Sequence, residues 1–148
     1  MELNEKFNII FYNRGVGGFI TDELGINDLS YPDIPIAQMI DHYDQILCQV
    51  KAALQDVKLY LMAYYPINYD AATEEMKPCL LVRTNPKIAE ANAAVKKLAE
   101  KYHAKYMDIN DPLKDENGNL KAEYTIEGMH IKEEGYRAIF PKFIRYAM

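Results

Sequence analysis

The amino-acid sequence predicts an α/β fold in which helices alternate with the strands of a mostly parallel sheet. Apolar runs typical of buried strands occur at Phe7–Tyr12, Lys58–Tyr65 and Ala104–Ile109. Amphipathic helices are predicted before, between and after the last two of these runs, which gives the helix–strand rhythm of α/β proteins. We therefore expect a three-layer α/β/α domain, with any ligand site at the carboxyl ends of the strands.

The composition is that of one ordinary globular domain spanning residues 1–148, of which 49% are hydrophobic. The formal net charge is -5 and no Lys/Arg cluster follows one face, so a small-molecule partner is expected rather than a nucleic acid or an anionic membrane. The sequence contains no apolar run approaching the ~20 residues of a membrane span. It also lacks a signal-peptide pattern, which predicts a cytoplasmic protein. Cys48 and Cys79 lack the number and spacing of a disulfide framework or a metal site.

Each of the three predicted helices has a stripe of apolar residues that recur every three or four positions. The first follows Asp33 and Pro35 and continues towards Val57, with Asp33 as a cap-type residue and Cys48 as a small packing residue beside the stripe. The second begins at Asn85, which is predicted to cap it. The third is expected to bury Tyr136, Ile139, Phe140, Phe143, Ile144 and Ala147.

The remaining segments are predicted to be loops. The stretch Asn68–Thr84 has no periodic pattern, so it is interpreted as a long irregular loop that forms either a lid or wall of the site or a mobile connection. Asp115–Gly118 has the composition of a turn. His42 lies off its helix stripe and His103 ends a helix, so both are expected to serve structural roles rather than catalysis.

The stretch Thr125–Arg137 carries the residues best suited to chemistry. Glu127 stands three residues before His130, and a turn at Gly128 can bring the carboxylate to one ring nitrogen. The other ring nitrogen would then be free to act as a general base near neutral pH. These are two of the three groups of a nucleophilic triad. The alternative is a surface loop whose histidine has no chemical role.

Three segments, taken in their order along the chain, resemble the SGNH or GDSL esterase/lipase superfamily. They are Asn13–Gly18 after a strand, Gly25–Asp28, and Glu127–His130 with Glu134–Tyr136 beyond it. The resemblance implies a flavodoxin-like domain with strand order 2-1-3-4-5 that hydrolyses esters without a metal or an organic cofactor.

The resemblance also implies a role for each matching residue. The glycine matching Gly18 would offer its backbone N–H, and the asparagine matching Asn27 its side-chain amide, to the oxyanion of a tetrahedral intermediate. His130 would be the base. The family usually has an aspartate three residues before that histidine, and Glu127 is one methylene longer. Glu127 would therefore orient the ring less tightly, or a backbone carbonyl would take over that role.

Two parts of the family pattern are missing from the sequence. No strand ending in Gly-Asp-Ser precedes Phe7, and only nine positions separate Gly18 from Asn27, where the family inserts a helix and a strand. A crossover between parallel strands needs about a dozen residues or more. We expect the sequence to be a fragment of a larger domain or, alternatively, a shortened relative that folds with a partner chain. A further N-terminal segment would leave secretion open.

Ser30 is the only serine, and as a substitute nucleophile it is poorly placed because it follows the asparagine loop rather than a nucleophile strand. The expected function is hydrolysis of a small carboxylic ester, with an acetyl or short acyl group on a carbohydrate or lipid. The alternative is a non-catalytic binding or assembly subunit that keeps the fold without the nucleophile. Metal-dependent hydrolysis is disfavoured because His42, His103 and His130 lack ligand spacing. The sequence does not indicate an oligomeric state.

Overall fold

A computed structural model describes residues 25–54, 56 and 58–147. The predicted strand Phe7–Tyr12 and the glycine-rich turn Asn13–Gly18 lie outside these residues. The α-helices are α1 (Ile36–Ala53), α2 (Lys77–Val82), α3 (Asn85–Lys101) and α4 (Glu133–Ala147). The strands are β1 (Tyr60–Met62) and β2 (Lys105–Met107), and short 3-10 helices cover Ile26–Ser30, Asp111–Leu113 and Ala122–Tyr124.

The two strands pair in parallel, and α3 forms the crossover between them. Leu61 is opposite Tyr106 in the register, and both pack in the core that includes α1 and α3. The next residue along β1, Met62, packs instead against a second core that includes Ile139 of α4. Because successive strand residues point to opposite faces of a sheet, helices cover both faces. The predicted α/β fold with a parallel sheet and a three-layer arrangement is confirmed.

Side-chain amides hold the segment that follows β1. Asn92 of α3 accepts a hydrogen bond from Tyr64 N (2.7 Å) and donates one to Tyr64 O (3.1 Å). Asn85 does the same for Ile67, with distances of 2.8 and 2.9 Å. Asn110 also donates to Tyr64 O at 2.8 Å. These amides satisfy backbone groups that would otherwise be buried without partners, so the segment has a fixed path beyond the end of the strand.

The helix ends differ from the predicted ones. Pro35 is the N-cap of α1 and no side chain caps that end, so the prediction for Asp33 is wrong. Thr84, rather than Asn85, caps α3, because its Oγ1 accepts a hydrogen bond from Lys87 N at 3.3 Å. The amide of Asn85 is already occupied by Ile67 and cannot serve its own helix end. Helix α1 ends at Ala53, before the predicted limit.

Three other predictions, one about secondary structure and two about burial, are wrong. The segment predicted to be an irregular loop contains α2, a helix of six residues that is too short to display a periodic pattern. On α4, Tyr136 and Phe140 are 50% and 46% exposed, because the buried side of the helix is centred on Gly135 and Ile139. Cys48 is exposed rather than packed.

The predicted positions of His42 and His103 and the predicted turn are confirmed. His42 is exposed on α1. His103 follows the end of α3 with a φ of 50°, a left-handed conformation common where helices end. Asp115–Gly118 forms the predicted turn, in which Gly118 N donates to Asp115 O at 3.1 Å.

Replacement of Asn92 tests the importance of the amide anchors. Asn92→Ala removes the acceptor of Tyr64 N, and we expect it to lower the free energy of unfolding by about 1–3 kcal/mol, the usual cost of an unsatisfied buried donor. Urea denaturation would measure the change. Asn117→Ala, in an exposed turn, is the matched control and should stay within about 0.5 kcal/mol of the wild type. Equal losses in both variants would contradict the anchoring role.

Candidate active site

The loop that carries Glu127 and His130 is closed at its base. Thr125 and Ile131 form an antiparallel bridge, and Lys132 N donates to Tyr124 O at 2.7 Å just before α4 begins. Within the loop, the buried Thr125 accepts a hydrogen bond through Oγ1 from Gly128 N at 3.0 Å. The backbone between the two candidate residues is therefore held by hydrogen bonds at both ends and in the middle.

Glu127 and His130 are in direct contact. Glu127 Oε1 accepts a hydrogen bond from His130 N at 2.5 Å and lies 3.0 Å from His130 Nδ1. Because an ionised carboxylate can only accept, the neutral imidazole carries its proton on Nδ1, and Nε2 remains an acceptor. The side chain of His130 is 78% exposed and that of Glu127 only 20% exposed. The arrangement leaves a ring nitrogen open to solvent on an oriented histidine, which is the geometry of a general base.

The carboxylate of Glu127 is partly withdrawn from water. Its second oxygen, Oε2, is buried and has no hydrogen-bond partner among the residues that the structure describes. The longer side chain of glutamate nevertheless reaches the ring, and the group at Nδ1 is the carboxylate.

Gly128 packs the candidate loop against the chain that leaves β1. Its carbonyl accepts a hydrogen bond from the N–H of the buried Asn68 at 2.8 Å. Gly128 has a φ of 89°, and a Cβ at this position would collide with the carbonyl oxygen of Asn68 and come within 3.0 Å of Ala72. Only glycine satisfies both the left-handed conformation and the close approach. The position of Glu127 and His130 is thus tied to the end of the sheet.

Asn27 lies in the 3-10 helix Ile26–Ser30, whose neighbouring residues Ile26 and Leu29 are buried. Gly25 precedes this helix with a φ of 85°, and a Cβ there would lie 2.8 Å from Met39 Cγ and 3.0 Å from Tyr64 Oη. The turn is therefore pressed against α1 and the segment after β1. This packing fixes the position of the backbone that carries the Asn27 side chain.

Arg83 connects Asn27 to the loop of His130. The arginine follows α2, is only 4% exposed, and donates from Nη2 to Asn27 Oδ1 at 3.1 Å. Its Nη1 lies 2.8 Å from the sulfur of Met129, the residue before His130. Sequence reasoning assigned no role to Arg83. The available indication was an arginine directly after the apolar residues Leu80–Val82.

Ser30 is also held by Arg83. Its hydroxyl oxygen accepts a hydrogen bond from Arg83 Nε at 2.8 Å and lies 3.2 Å from the donor Cys79 Sγ. A guanidinium cannot accept a proton, so Arg83 cannot be the general base that a serine nucleophile needs, and its N–H occupies a lone pair of the hydroxyl oxygen. This environment disfavours Ser30 as a nucleophile and makes it a link between the 3-10 helix and α2.

The structure brings some of the predicted site residues into contact and does not describe Gly18. Glu127 and His130 touch, and Asn27 shares the guanidinium of Arg83 with Met129. Gly18 lies outside the described residues. Within the described part of the chain, no group of three or more His, Cys, Asp or Glu residues is arranged to hold a metal ion. No helix in the same part is long and apolar enough to cross a membrane.

Comparison with protein families identifies the class. The model of the GDSL-like lipase/acylhydrolase family matches residues 7–138, most of the chain. The chain therefore belongs to the GDSL-like lipase/acylhydrolase family. The residues in contact here, Glu127 and His130, lie inside the matched region. A search of the curated proteins gave no match.

Solved structures give the same fold. A protein from Streptococcus pneumonia whose name refers to platelet activating factor is 28% identical, with a TM-score of 0.73 over 83% of this chain and 56% of that one. A GDSL-like lipase from Bacteroides thetaiotaomicron is 19% identical, with a TM-score of 0.61 over 78% and 53%. An acetyl-xylooligosaccharide esterase variant from Geobacillus Stearmophilus is 14% identical, with a TM-score of 0.55 over 77% and 48%. The chain spans about half the length of these structures.

Gly128→Ala tests whether close packing at this position holds the candidate loop. Gly118 is a matched control, because it has a similar φ of 82° but no other atom lies within 4 Å of the place that an added Cβ would take. We expect Gly118→Ala to cost about 1–2 kcal/mol for the left-handed conformation alone. Gly128→Ala should cost clearly more, because it also collides with Asn68 O. Urea denaturation of both variants measures the difference, and equal costs would contradict the packing argument.

Proposed function

We propose that the protein hydrolyses small carboxylic esters by a serine-type mechanism, with His130 as the base and a nucleophilic serine contributed from outside residues 1–148. The observation that carries this proposal is the 3.0 Å contact between Glu127 and an exposed His130 in a chain of the GDSL-like lipase/acylhydrolase family. A different serine is proposed as the nucleophile because the hydroxyl of Ser30 is hydrogen-bonded by Arg83.

His130 would act through Nε2. The nitrogen takes the proton of the attacking serine, the serine oxygen bonds to the ester carbonyl carbon, and a tetrahedral oxyanion forms. The bond between the carbonyl carbon and the alcohol oxygen then breaks, and the protonated ring gives its proton to the departing alkoxide. In the second half of the reaction His130 takes a proton from water, the water oxygen bonds to the acyl carbon, and the proton passes to the serine oxygen as the acid leaves. Glu127 accepts from Nδ1–H throughout and stabilises the imidazolium. Asn27 Nδ2 and Gly18 N–H would donate to the oxyanion.

The expected substrate is an acetyl or other short acyl ester of a carbohydrate or lipid. The name of the Geobacillus neighbour, an acetyl-xylooligosaccharide esterase, is consistent with this class. The mechanism uses side chains and a backbone N–H only, so it needs neither a metal nor an organic cofactor.

A non-catalytic binding or assembly subunit is the second candidate. The observation that favours it is the engagement of Ser30, the only serine of the sequence, by Arg83 Nε. Such a subunit would keep the fold of the family and bind a partner or ligand without turnover.

His130→Ala, made in the protein that includes the serine-bearing segment, tests the base. We expect turnover of p-nitrophenyl acetate to fall by about 10²–10⁴, the usual contribution of general acid–base catalysis, with the urea midpoint unchanged because the side chain is exposed. Glu127→Ala should lose less activity. The double variant should lose scarcely more than His130→Ala, because members of a catalytic unit are not additive.

His42→Ala is the control for the histidine experiment, since His42 is exposed on α1 and should leave turnover unchanged. Full activity in His130→Ala would exclude the proposed base. A wild type that includes the sequence beyond residues 1–148, yet neither turns over the ester nor reacts with a fluorophosphonate probe, would favour the binding subunit.

Asn27→Ala tests the oxyanion donor. We expect kcat to fall by about 10²–10³ with little change in KM, because the donor acts on charge that develops only in the transition state. Asn117→Ala removes an asparagine from an exposed turn and should change neither parameter. An effect of Asn27→Ala confined to KM would assign Asn27 to substrate binding instead.

A further inference from the structure

Arg83 is the one buried arginine that contacts a predicted site residue within the described part of the chain. Each of its nitrogens has a contact: Nε with Ser30 Oγ, Nη2 with Asn27 Oδ1 and Nη1 with Met129 Sδ. The three acceptors lie on two separate elements, the 3-10 helix Ile26–Ser30 and the loop before His130. The guanidinium plane is consequently fixed from several directions.

The contact with Asn27 determines which way its amide faces. Oxygen and nitrogen of an asparagine side chain are usually assigned from their hydrogen-bond partners. A guanidinium has donors but no acceptor, so the atom facing Arg83 Nη2 must be Oδ1. The amide nitrogen then lies on the opposite branch of the side chain. No residue in the described part of the chain accepts a hydrogen bond from Asn27 Nδ2.

We propose that Arg83 is a positioning residue that locks the amide of Asn27 with Nδ2 available to donate to a bound oxyanion. The inference rests on the proposed function, because the oxyanion is that of ester hydrolysis. A cationic donor on Oδ1 also polarises the amide, which makes its N–H groups stronger donors. Arg83 thereby acts on the reacting atoms through Asn27 without touching them.

The same guanidinium links Asn27, the proposed oxyanion donor, to the loop that carries His130, the proposed base. Nη1 contacts Met129, whose neighbour His130 is oriented by Glu127. A lysine has one nitrogen at the end of a flexible chain and cannot hold Ser30, Asn27 and Met129 in one plane. The arginine fork is therefore specific to this role, and charge alone does not replace it.

The orientation itself is tested by NMR on the purified 148-residue chain. The side-chain amide signals of Asn27 are identified by their loss in Asn27→Asp and followed in Arg83→Met, Arg83→Lys and the control Arg145→Met, an exposed position on α4. We expect the signals to shift and broaden in both Arg83 variants and to stay unchanged in Arg145→Met. Unchanged Asn27 signals in Arg83→Met would overturn the proposal.

Kinetics of the protein that includes the serine-bearing segment test the consequence of that orientation. We expect kcat for p-nitrophenyl acetate to fall about tenfold to a hundredfold in Arg83→Met, less than on removal of the donor itself, with KM nearly constant. Arg83→Lys should recover only part of the loss. An unaltered kcat in Arg83→Met would overturn the positioning role. A wild-type protein that includes the serine-bearing segment and is still inactive, while its Asn27 signals depend on Arg83, would overturn the proposed function and support the orientation.

Asn27→Asp provides a readout that does not require an Arg83 variant to fold. The aspartate keeps an oxygen facing Arg83 Nη2 and loses only the outward nitrogen. We expect its Tm to equal or exceed that of the wild type while kcat falls about 10²–10³. A Tm well below the wild type would overturn the assignment of Oδ1 to the arginine side.

Discussion

The buried guanidinium of Arg83 is the interaction on which the geometry of the candidate site depends. A charged group withdrawn from water is tolerated only when hydrogen bonds replace its hydration, and here Ser30, Asn27 and Met129 supply acceptors for all three nitrogens. Removing the acceptor of a buried donor costs more than an ordinary surface hydrogen bond contributes. The 3-10 helix Ile26–Ser30 and the loop of His130 are therefore both anchored to the guanidinium of Arg83.

The second support is the segment between β1 and Asn68. A strand of three residues has few ladder hydrogen bonds to hold the chain that follows it. Amides from α3 and from Asn110 take over, and Asn68 then contacts Gly128 through the backbone. Parallel sheets commonly place their sites just beyond the carboxyl ends of the strands. In this protein asparagine side chains hold the chain segment that connects the strand to the candidate site.

Local features of this structure could be predicted from the sequence and long-range ones could not. Helices α1 and α3 have periodic apolar patterns and both strands lie in apolar runs, features that depend on a few consecutive residues. The contact between Glu127 and His130 spans three positions and follows from a single turn. Arg83 reaches Asn27 and Met129 across 56 and 46 positions, and nothing in the local sequence marks such a pairing.

The wrong predictions have the same origin. Asn85 has the composition of a cap, but a distant backbone segment at Ile67 competes for its amide and Thr84 caps the helix instead. Tyr136 and Phe140 are apolar enough to suggest burial, yet the contact of Gly135 with Ile131 and Tyr124 turns a neighbouring side of α4 inward. In both cases tertiary contacts override a local preference.

The environment of Glu127 bears on whether its loop is inert. One carboxylate oxygen binds the backbone and the ring of His130, and the other is buried without a partner among the described residues. A buried, unsatisfied carboxylate oxygen costs free energy, which a glutamate on an ordinary surface loop avoids by facing water. Local costs of this kind are found at functional sites, where they are retained because they support the function. An exposed imidazole held by a partly buried carboxylate therefore favours a chemical role for the loop over a purely structural one.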